Sequence, residues 1–224
     1  MTGRTIAVGD IHGCSRAFSL VLSQLDLTAE DTLVVLGDVI DRGPDTAAVV
    51  DRLLELKQQC RLITLAGNHE EMMFSALDGG DWLDGWMQFG GREMLDSYGG
   101  TPESIPEIHL QLLRSMQDVW ETETDVFVHA GIDAEVPLTE QSARTLRWEH
   151  VRGNEPPLND GRRIICGHTA QKSGIPLLWP GWLCLDTWVY GEGYLTAFDL
   201  DSSQFYQASQ NGKQRDFHLS QLTD

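Results

Sequence analysis

Hydrophobic positions in the early part of the chain switch between two periods. Thr5 to Val8, Thr32 to Leu36 and Leu62 to Leu65 are short runs rich in β-branched and aliphatic side chains, bounded by turn residues, and each predicts a buried strand. Between them apolar residues recur at helical spacing: Phe18, Val21, Leu22 and Leu25 within Ser15 to Leu25, then Val49, Val50, Leu53, Leu54 and Leu56 within Asp45 to Lys57. Strand, helix, strand, helix, strand predicts a largely parallel sheet covered by helices, because parallel neighbours need a crossover to bring the chain back. Val126 to Val128 and Arg163 to Cys166 predict two further buried strands.

The pattern changes twice along the chain. Residues 70 to 120 are mainly helical in period, interrupted by Gly79-Gly80, Gly90-Gly91 and Gly99-Gly100, and carry Trp82, Trp86, Met87, Phe89 and Trp120. They are expected to form a helical excursion packed on the main sheet. From about Trp182 onward, Leu183 to Leu185, Leu195 to Asp199 and Gln204 to Gln207 alternate with turn residues, which predicts an antiparallel meander and a second sheet built from it. No repeat, low-complexity tract or proline-rich linker divides the 224 residues, so residues 1–224 are read as one α/β domain.

Composition narrows the class. Hydrophobic residues make up 41% and seven tryptophans are present, enough for a sizeable core. Sixteen Lys and Arg face 34 Asp and Glu, a formal net charge of -18, which argues against nucleic acid or an anionic membrane as partner. Residues 70 to 140 carry 16 of the acids and two of the bases, so -14 of that charge sits in one stretch. The stretch is expected to screen acidic substrates. Cys14, Cys60, Cys166 and Cys184 form no C-x-x-C pair and are expected to be free thiols. With neither a signal-peptide pattern nor a long apolar run, the expected setting is the cytoplasm, and the expected state a monomer.

Candidate chemistry collects where strands end. Gly9-Asp10-Ile11-His12-Gly13, Gly37-Asp38, Gly67-Asn68-His69-Glu70, His129-Ala130-Gly131 and Gly167-His168 each follow a predicted strand, the place where open α/β sheets gather ligands. A single Asp or Asn there is an ordinary turn former or helix cap. Asp10, His12, Asp38, Asn68, His129 and His168 together make a mixed oxygen and nitrogen set suited to two divalent metals bridged by a carboxylate. Without thiolates, such a set favours Mn²⁺, Fe²⁺ or Zn²⁺ over Ca²⁺, whereas Mg²⁺ prefers oxygen alone.

These blocks, with Val39-Ile40-Asp41-Arg42-Gly43 completing the second, resemble the phosphoprotein phosphatase (PPP) family of calcineurin-like metallophosphoesterases, in particular compact bacterial and phage Ser/Thr protein phosphatases. The resemblance implies two mixed β-sheets packed as a sandwich with helices outside. It implies a dinuclear centre, most simply two Mn²⁺, with Asp10, His12 and Asp38 on one metal and Asp38, Asn68, His129 and His168 on the other. It also implies a metal-bridging hydroxide nucleophile, His69 as the general acid held by Asp41, Arg42 on the substrate phosphate, and a phosphoprotein or phosphopeptide as substrate. Leu185-Asp186-Thr187 resembles a strand-end block with a structural role.

The pattern departs from those relatives after residue 140. Where a second phosphate-binding Arg usually follows a Trp, the sequence reads Arg147-Trp148-Glu149-His150-Val151-Arg152, leaving Arg147 and Arg152 as candidates for that role. A dinucleoside tetraphosphatase, which cleaves a phosphoanhydride, is the rival activity. Similar tetraphosphatases usually lack an acid at the position of Asp41 and carry Asp at that of Glu70, so both residues favour the phosphatase. A metal-binding scaffold without catalysis is a third possibility, and it would require a missing catalytic group.

Overall fold

Alternation within single strands decides the architecture. In the computed structural model, which describes residues 3–80 and 83–222, the chain runs from β1 (Thr5–Val8) through α1 (Ser15–Leu25), β2 (Thr32–Val35) and α2 (Thr46–Gln59) to β3 (Arg61–Thr64). The three strands are parallel neighbours. Ile6, Val8, Leu33 and Val35 pack outward beneath α1 and α2, while Ala7, Val34 and Leu36 point the other way into a second apolar layer. Burial on both faces is why these strands read as continuous apolar runs. Asp45 caps α2, its carboxylate accepting the Ala48 N–H at 3.0 Å, a contribution of about 1 kcal/mol.

The helical excursion follows as α3 (Asn68–Leu77), α4 (Leu83–Trp86), a π-helical turn at Met87–Gly91, α5 (Arg92–Ser97) and α6 (Glu107–Arg114). Trp86, Met94, Leu95, Leu112 and Leu113 join the outer core with α1 and α2, so the excursion lies on the helical layer of the first sheet. Trp82, assigned to this segment from sequence, lies outside the described residues.

The remaining elements are β4 (Val119–Glu121), β5 (Asp125–Val128), α7 (Ala143–Trp148), β6 (Arg163–Cys166), β7 (Leu177–Trp179), β8 (Trp182–Cys184), β9 (Leu195–Asp199), β10 (Gln204–Ala208) and β11 (Gln214–His218). The second sheet has the order β4-β5-β6-β8-β7, with β5, β6 and β8 parallel. Phe127, Ile165 and Leu183 face the first sheet, whereas Val126, Val128, Ile164 and Cys166 pack outward with Leu146 of α7. The two sheets form a sandwich with helices outside, as expected.

One expectation is corrected. The tail does not build the second sheet as a unit. Its first strand, β8, joins β6, but β9, β10 and β11 form their meander on the first sheet, giving β11-β10-β9-β1-β2-β3. Without β9, β1 would be a doubly buried edge with a row of unpaired N–H and C=O groups. All five residues of β9 are buried, as a central strand requires. All four cysteines are free and buried, and no helix among the described residues is long and apolar enough to cross a membrane.

Candidate metal centre and active site

The carboxyl ends of β1, β2 and β3 meet those of β5 and β6 at one rim of the sandwich. Asp10 and His12 follow β1, Asp38 follows β2, Asn68 and His69 open α3, His129 follows β5 and His168 follows β6. Two glycines allow the approach. A Cβ on Gly67 would lie 2.1 Å from Asp38 Oδ1, and one on Gly167 would lie 2.1 Å from Asp10 Oδ1. His12, Asp38, Asp41, Arg42 and His168 have left-handed backbones with φ from 46° to 69°. Non-glycine residues hold that conformation only where their surroundings enforce it, and such strain clusters at functional sites. Here the Asp38 carbonyl accepts the N–H groups of Ile11 and His12 at 3.1 and 2.9 Å.

The imidazoles have fixed tautomers, because backbone carbonyls can only accept. His12 Nδ1 donates to Ile40 O at 3.0 Å, His129 Nδ1 to Leu36 O at 2.8 Å and His168 Nε2 to Trp148 O at 3.1 Å. The other nitrogen of each neutral ring is therefore an acceptor, which on His12 already faces Arg42. His129 Nε2, His168 Nδ1 and Asn68 Oδ1 lie within 3.2 Å of one another, and Asp38 Oδ1 is 3.5 Å from His129 Nε2. On the other side of the same carboxylate, Oδ2 is 3.6 Å from His12 Nε2 and 3.9 Å from His69 Nε2.

Acceptors converging on acceptors have no proton to share and repel one another unless a cation lies between them. The charge agrees. Asp10, Asp38 and Asp186 are buried together, and among the described residues no Lys or Arg ion-pairs with them. Burial, reinforced by Asp186 and Asp38, holds the Asp10 carboxyl well above its ordinary range, and burial pushes Asp186 up to about 6. Burial, with His129 adding to it, pulls the His168 imidazole down to about 3, the neutral form a metal requires. Asp38, His129 and His168 form one group able to hold an ion, and His12, Asp38 and His69 another; Asp10, expected beside His12 and Asp38, is in neither group, and His69 stands in its place. The residues present fit two divalent cations sharing Asp38.

His69 is held differently. Its Nδ1 is 2.7 Å from Asp41 Oδ2, and both Asp41 oxygens accept the indole N–H of Trp86, at 3.0 and 3.1 Å. His69 and Asp41 are both fully buried. Burial alone would lower the imidazole's pKa, but Asp38 and Asp41 outweigh it and the net shift is upward. Its Nε2 is buried with no hydrogen-bond partner among the described residues, and His69 lines the cavity over Asp38 and Asn68. Arg42 lines the same cavity of about 450 Å³; its guanidinium lies 4.4 Å above the Tyr190 ring and donates to His12 Nε2 at 3.3 Å.

The two downstream arginines are not brought to this cavity. Arg147 is bound by Asp118 at 2.6 Å and Glu71 at 3.0 Å, and Arg152 lines a neighbouring cavity. Several contributions escaped sequence reasoning, among them the structural part of Glu70, which the sequence marked only as favouring the phosphatase. Glu70 accepts the N–H groups of Gly67, Asp38 and Val39 at 2.8 to 3.0 Å, tying the end of β2 to α3. Burial, with Asp38 beside it, pushes its carboxyl up to about 7. Tyr190 stands edge-on to His12 with centroids 4.9 Å apart, and His150 stacks on His168 at 4.5 Å. The only local signal for Tyr190 was its place before Gly191 in a turn, and for His150 its place where an Arg was expected.

A two-sheet sandwich with an acid-and-imidazole rim shaped for two cations defines a metal-dependent hydrolase of the phosphoesterase class. Residues 3–172 match the calcineurin-like phosphoesterase family, and the chain belongs to it. Among curated relatives, the symmetrical bis(5'-nucleosyl)-tetraphosphatase of Acidovorax sp. (strain JS42) is 42% identical over 73 residues, covering 32% of this chain and 25% of that protein. Serine/threonine-protein phosphatase 1 of Salmonella typhimurium is 37% identical over 90 residues, covering 34% and 38%. The matched stretch thus spans well under half the length of either relative. Among solved structures, a candidate diadenosine tetraphosphatase superposes with a TM-score of 0.67 at 20% identity, over 97% of this chain and 94% of its own. A protein serine/threonine phosphatase from Saccharomyces cerevisiae does so with 0.63 at 15%, over 97% and 80%. These likenesses establish the fold.

Proposed function

We propose that this chain is a phosphomonoester hydrolase whose substrates are phosphoserine and phosphothreonine in proteins. The observation that carries the reading is His69, anchored by Asp41 through one nitrogen and presenting the other, unpartnered, to the cavity beside Asp38. A buried polar atom without a partner calls for one, and a proton on Nε2 is placed to pass to a leaving oxygen. Asp10, His12, Asp38, Asn68, His129 and His168 would hold two divalent ions, Mn²⁺ in the first instance, which when bound supply an activated water and neutralise phosphoryl oxygens. Arg42 offers a planar fork of donors matched to phosphate geometry.

The leaving group separates this reading from its rival. A serine or threonine alkoxide is a far stronger base than a nucleotide phosphate, so a fixed proton donor matters most for the monoester and least for the phosphoanhydride. The His69–Asp41–Trp86 chain supports an alkoxide leaving group. The names of the relatives include both activities, so substrates decide between them. His69→Asn is expected to slow turnover of a phosphoserine peptide by ~10²- to 10⁴-fold while leaving diadenosine tetraphosphate and aryl phosphates of acidic phenols much less affected. Equal losses on every substrate would overturn the general-acid assignment. Wild-type protein that turns over diadenosine tetraphosphate faster than phosphopeptide would favour the tetraphosphatase.

A further inference from the structure

The space above the reaction centre continues sideways. Trp148 and His150, which line the catalytic cavity, also line a second cavity of about 830 Å³ whose other walls are Glu71, Arg144, Glu149 and Arg152. Its charges are unevenly matched. Glu71 is bound by Arg147 at 3.0 Å. Glu149 meets Arg144 only at 4.0 Å, with side chains 54% and 85% exposed, where an ion pair holds little. The Arg152 side chain has no ion pair or hydrogen bond among the described residues; only its backbone N–H is engaged, by Glu155 at 2.6 Å. Elsewhere Arg4, Arg114, Arg162 and Arg163 are each committed to carboxylates. In a chain of net charge -18, with -14 of it in residues 70 to 140, these two arginines line a cavity that shares Trp148 and His150 with the catalytic one and so give an anionic peptide a local counter-charge there.

We propose that this second cavity is a substrate subsite for an anionic group beside the scissile phosphate, the carboxylate of an Asp or Glu flanking the phosphorylated residue, received by Arg152 and Arg144 with Trp148 and His150 as its wall. The inference rests on the phosphatase reading and names the substrates that reading prefers. It gives Arg152 a role distinct from gripping the scissile phosphate. A second phosphoryl group on a doubly phosphorylated peptide offers the same anionic chemistry and forms a separate arm of the test.

Three phosphoserine peptides differing only in an Asp, Ala or Lys neighbour, together with a doubly phosphorylated one, are compared on metal-loaded wild type, Arg144→Ala, Arg152→Ala and Arg152→Glu. The readout is the ratio of kcat/KM between neighbours within each protein. Wild type should prefer Asp over Ala, each alanine variant should shrink that ratio by roughly two- to fivefold, and Arg152→Glu should shift the preference toward Lys. The Asp advantage should fade as salt rises toward ~0.5 M. Ratios identical in all four proteins would overturn the subsite, and sensitivity confined to the doubly phosphorylated peptide would overturn its assignment to carboxylates. The same peptides carrying a non-hydrolysable phosphonate, titrated by tryptophan fluorescence, read the subsite without turnover. Absence of aryl phosphate hydrolysis by wild type would instead count against the phosphatase reading alone.

Discussion

At the amino ends of the parallel strands buried carboxylates face arginines, whereas at the carboxyl ends they face one another and bare imidazole nitrogens. Arg4 binds Asp31 at 2.9 Å and Asp199 at 3.4 Å, and Arg163 binds Asp125 at 2.7 Å, tying β1 to β2 and β9, and β5 to β6. Asp31, Asp125 and Asp199 are as buried as Asp10 and Asp38. Burial of an acid therefore does not distinguish structure from function in this fold. What distinguishes them is whether the protein supplies the counter-charge. At one end it does, and the polar groups hold the sandwich together. At the other the ring N–H groups of His12, His129 and His168 are turned outward to backbone carbonyls, and their remaining nitrogens gather with Asn68 and the Asp38 carboxylate into a set of acceptors that suits a divalent cation.

Asp38→Asn tests that contrast most severely. It should lower metal-dependent phosphatase activity by ~10³-fold or more, since a bridging ligand supports charge stabilisation worth several kcal/mol. The same substitution should change the melting temperature of chelator-treated protein little, because the repulsion it relieves at Asp10 and Asp186 is offset by the attraction it loses to the surrounding imidazoles, while asparagine can still accept the His69 N–H that Asp38 Oδ1 accepts at 3.0 Å. A variant that fails to fold after chelation would show the acceptor cluster to be a structural device.

The opposite end should respond in stability rather than in activity. Asp31→Ala removes the nearer carboxylate of the Arg4 guanidinium, leaving it Asp199 at 3.4 Å and the Leu25 carbonyl at 2.9 Å, and strands the N–H groups of Arg4 and Thr28, which Asp31 accepts at 2.8 and 2.9 Å. The loss should be about 2 kcal/mol or more, or a fall in Tm of roughly 4–8 °C, with the activity of the folded protein little changed. The hydrogen bond from Arg4 holds the Asp31 carboxyl below its ordinary range, outweighing burial. A lowered folded-state pKa gives stability that is fully present above the ordinary aspartate value near ~4 and lost as pH falls below it. Denaturant titrations from about pH 5 to pH 2 should therefore show a shallower loss of stability in Asp31→Ala than in wild type. Parallel curves would remove this ion pair from the account of acid stability.

The clustering at the candidate rim was legible because its chemistry is local to the sequence: Gly9-Asp10-Ile11-His12 and Gly67-Asn68-His69 sit directly after apolar runs, and a strand end fixes where such residues project. Contacts set by distant packing were not legible. Nothing in the spacing of Arg147 shows that Asp118 and Glu71 bind it, and nothing in the β9 run shows that β1 needed a partner there. The difference between Arg152 and Arg163 is of the same kind. Both are single basic residues in sequence, yet only the tertiary structure shows that Arg163 is committed to a buried acid and that the Arg152 side chain, without an ion pair among the described residues, lies beside a cavity.

Trp86 marks the boundary between the two regimes, and its effect should be the smallest of those argued. Its ring is fully buried in the outer core, and its N–H reaches Asp41 across 45 residues of sequence. It is thus both a packing residue and a positioning residue for His69. Trp86→Phe keeps an aromatic ring in the core and removes the donor. Its stability cost should be modest, whereas Asp41, deprived of one partner, should orient His69 less well. The expected signature is a fall in kcat of about tenfold on phosphoserine peptides, by analogy with losses when outer-shell partners are removed, with KM unchanged. Aryl phosphates with acidic phenols, which need little protonation to leave, should be much less affected. A uniform fall on both substrates would mean that Trp86 acts through packing alone, and would separate the acid-holding chain His69–Asp41 from the excursion that covers it.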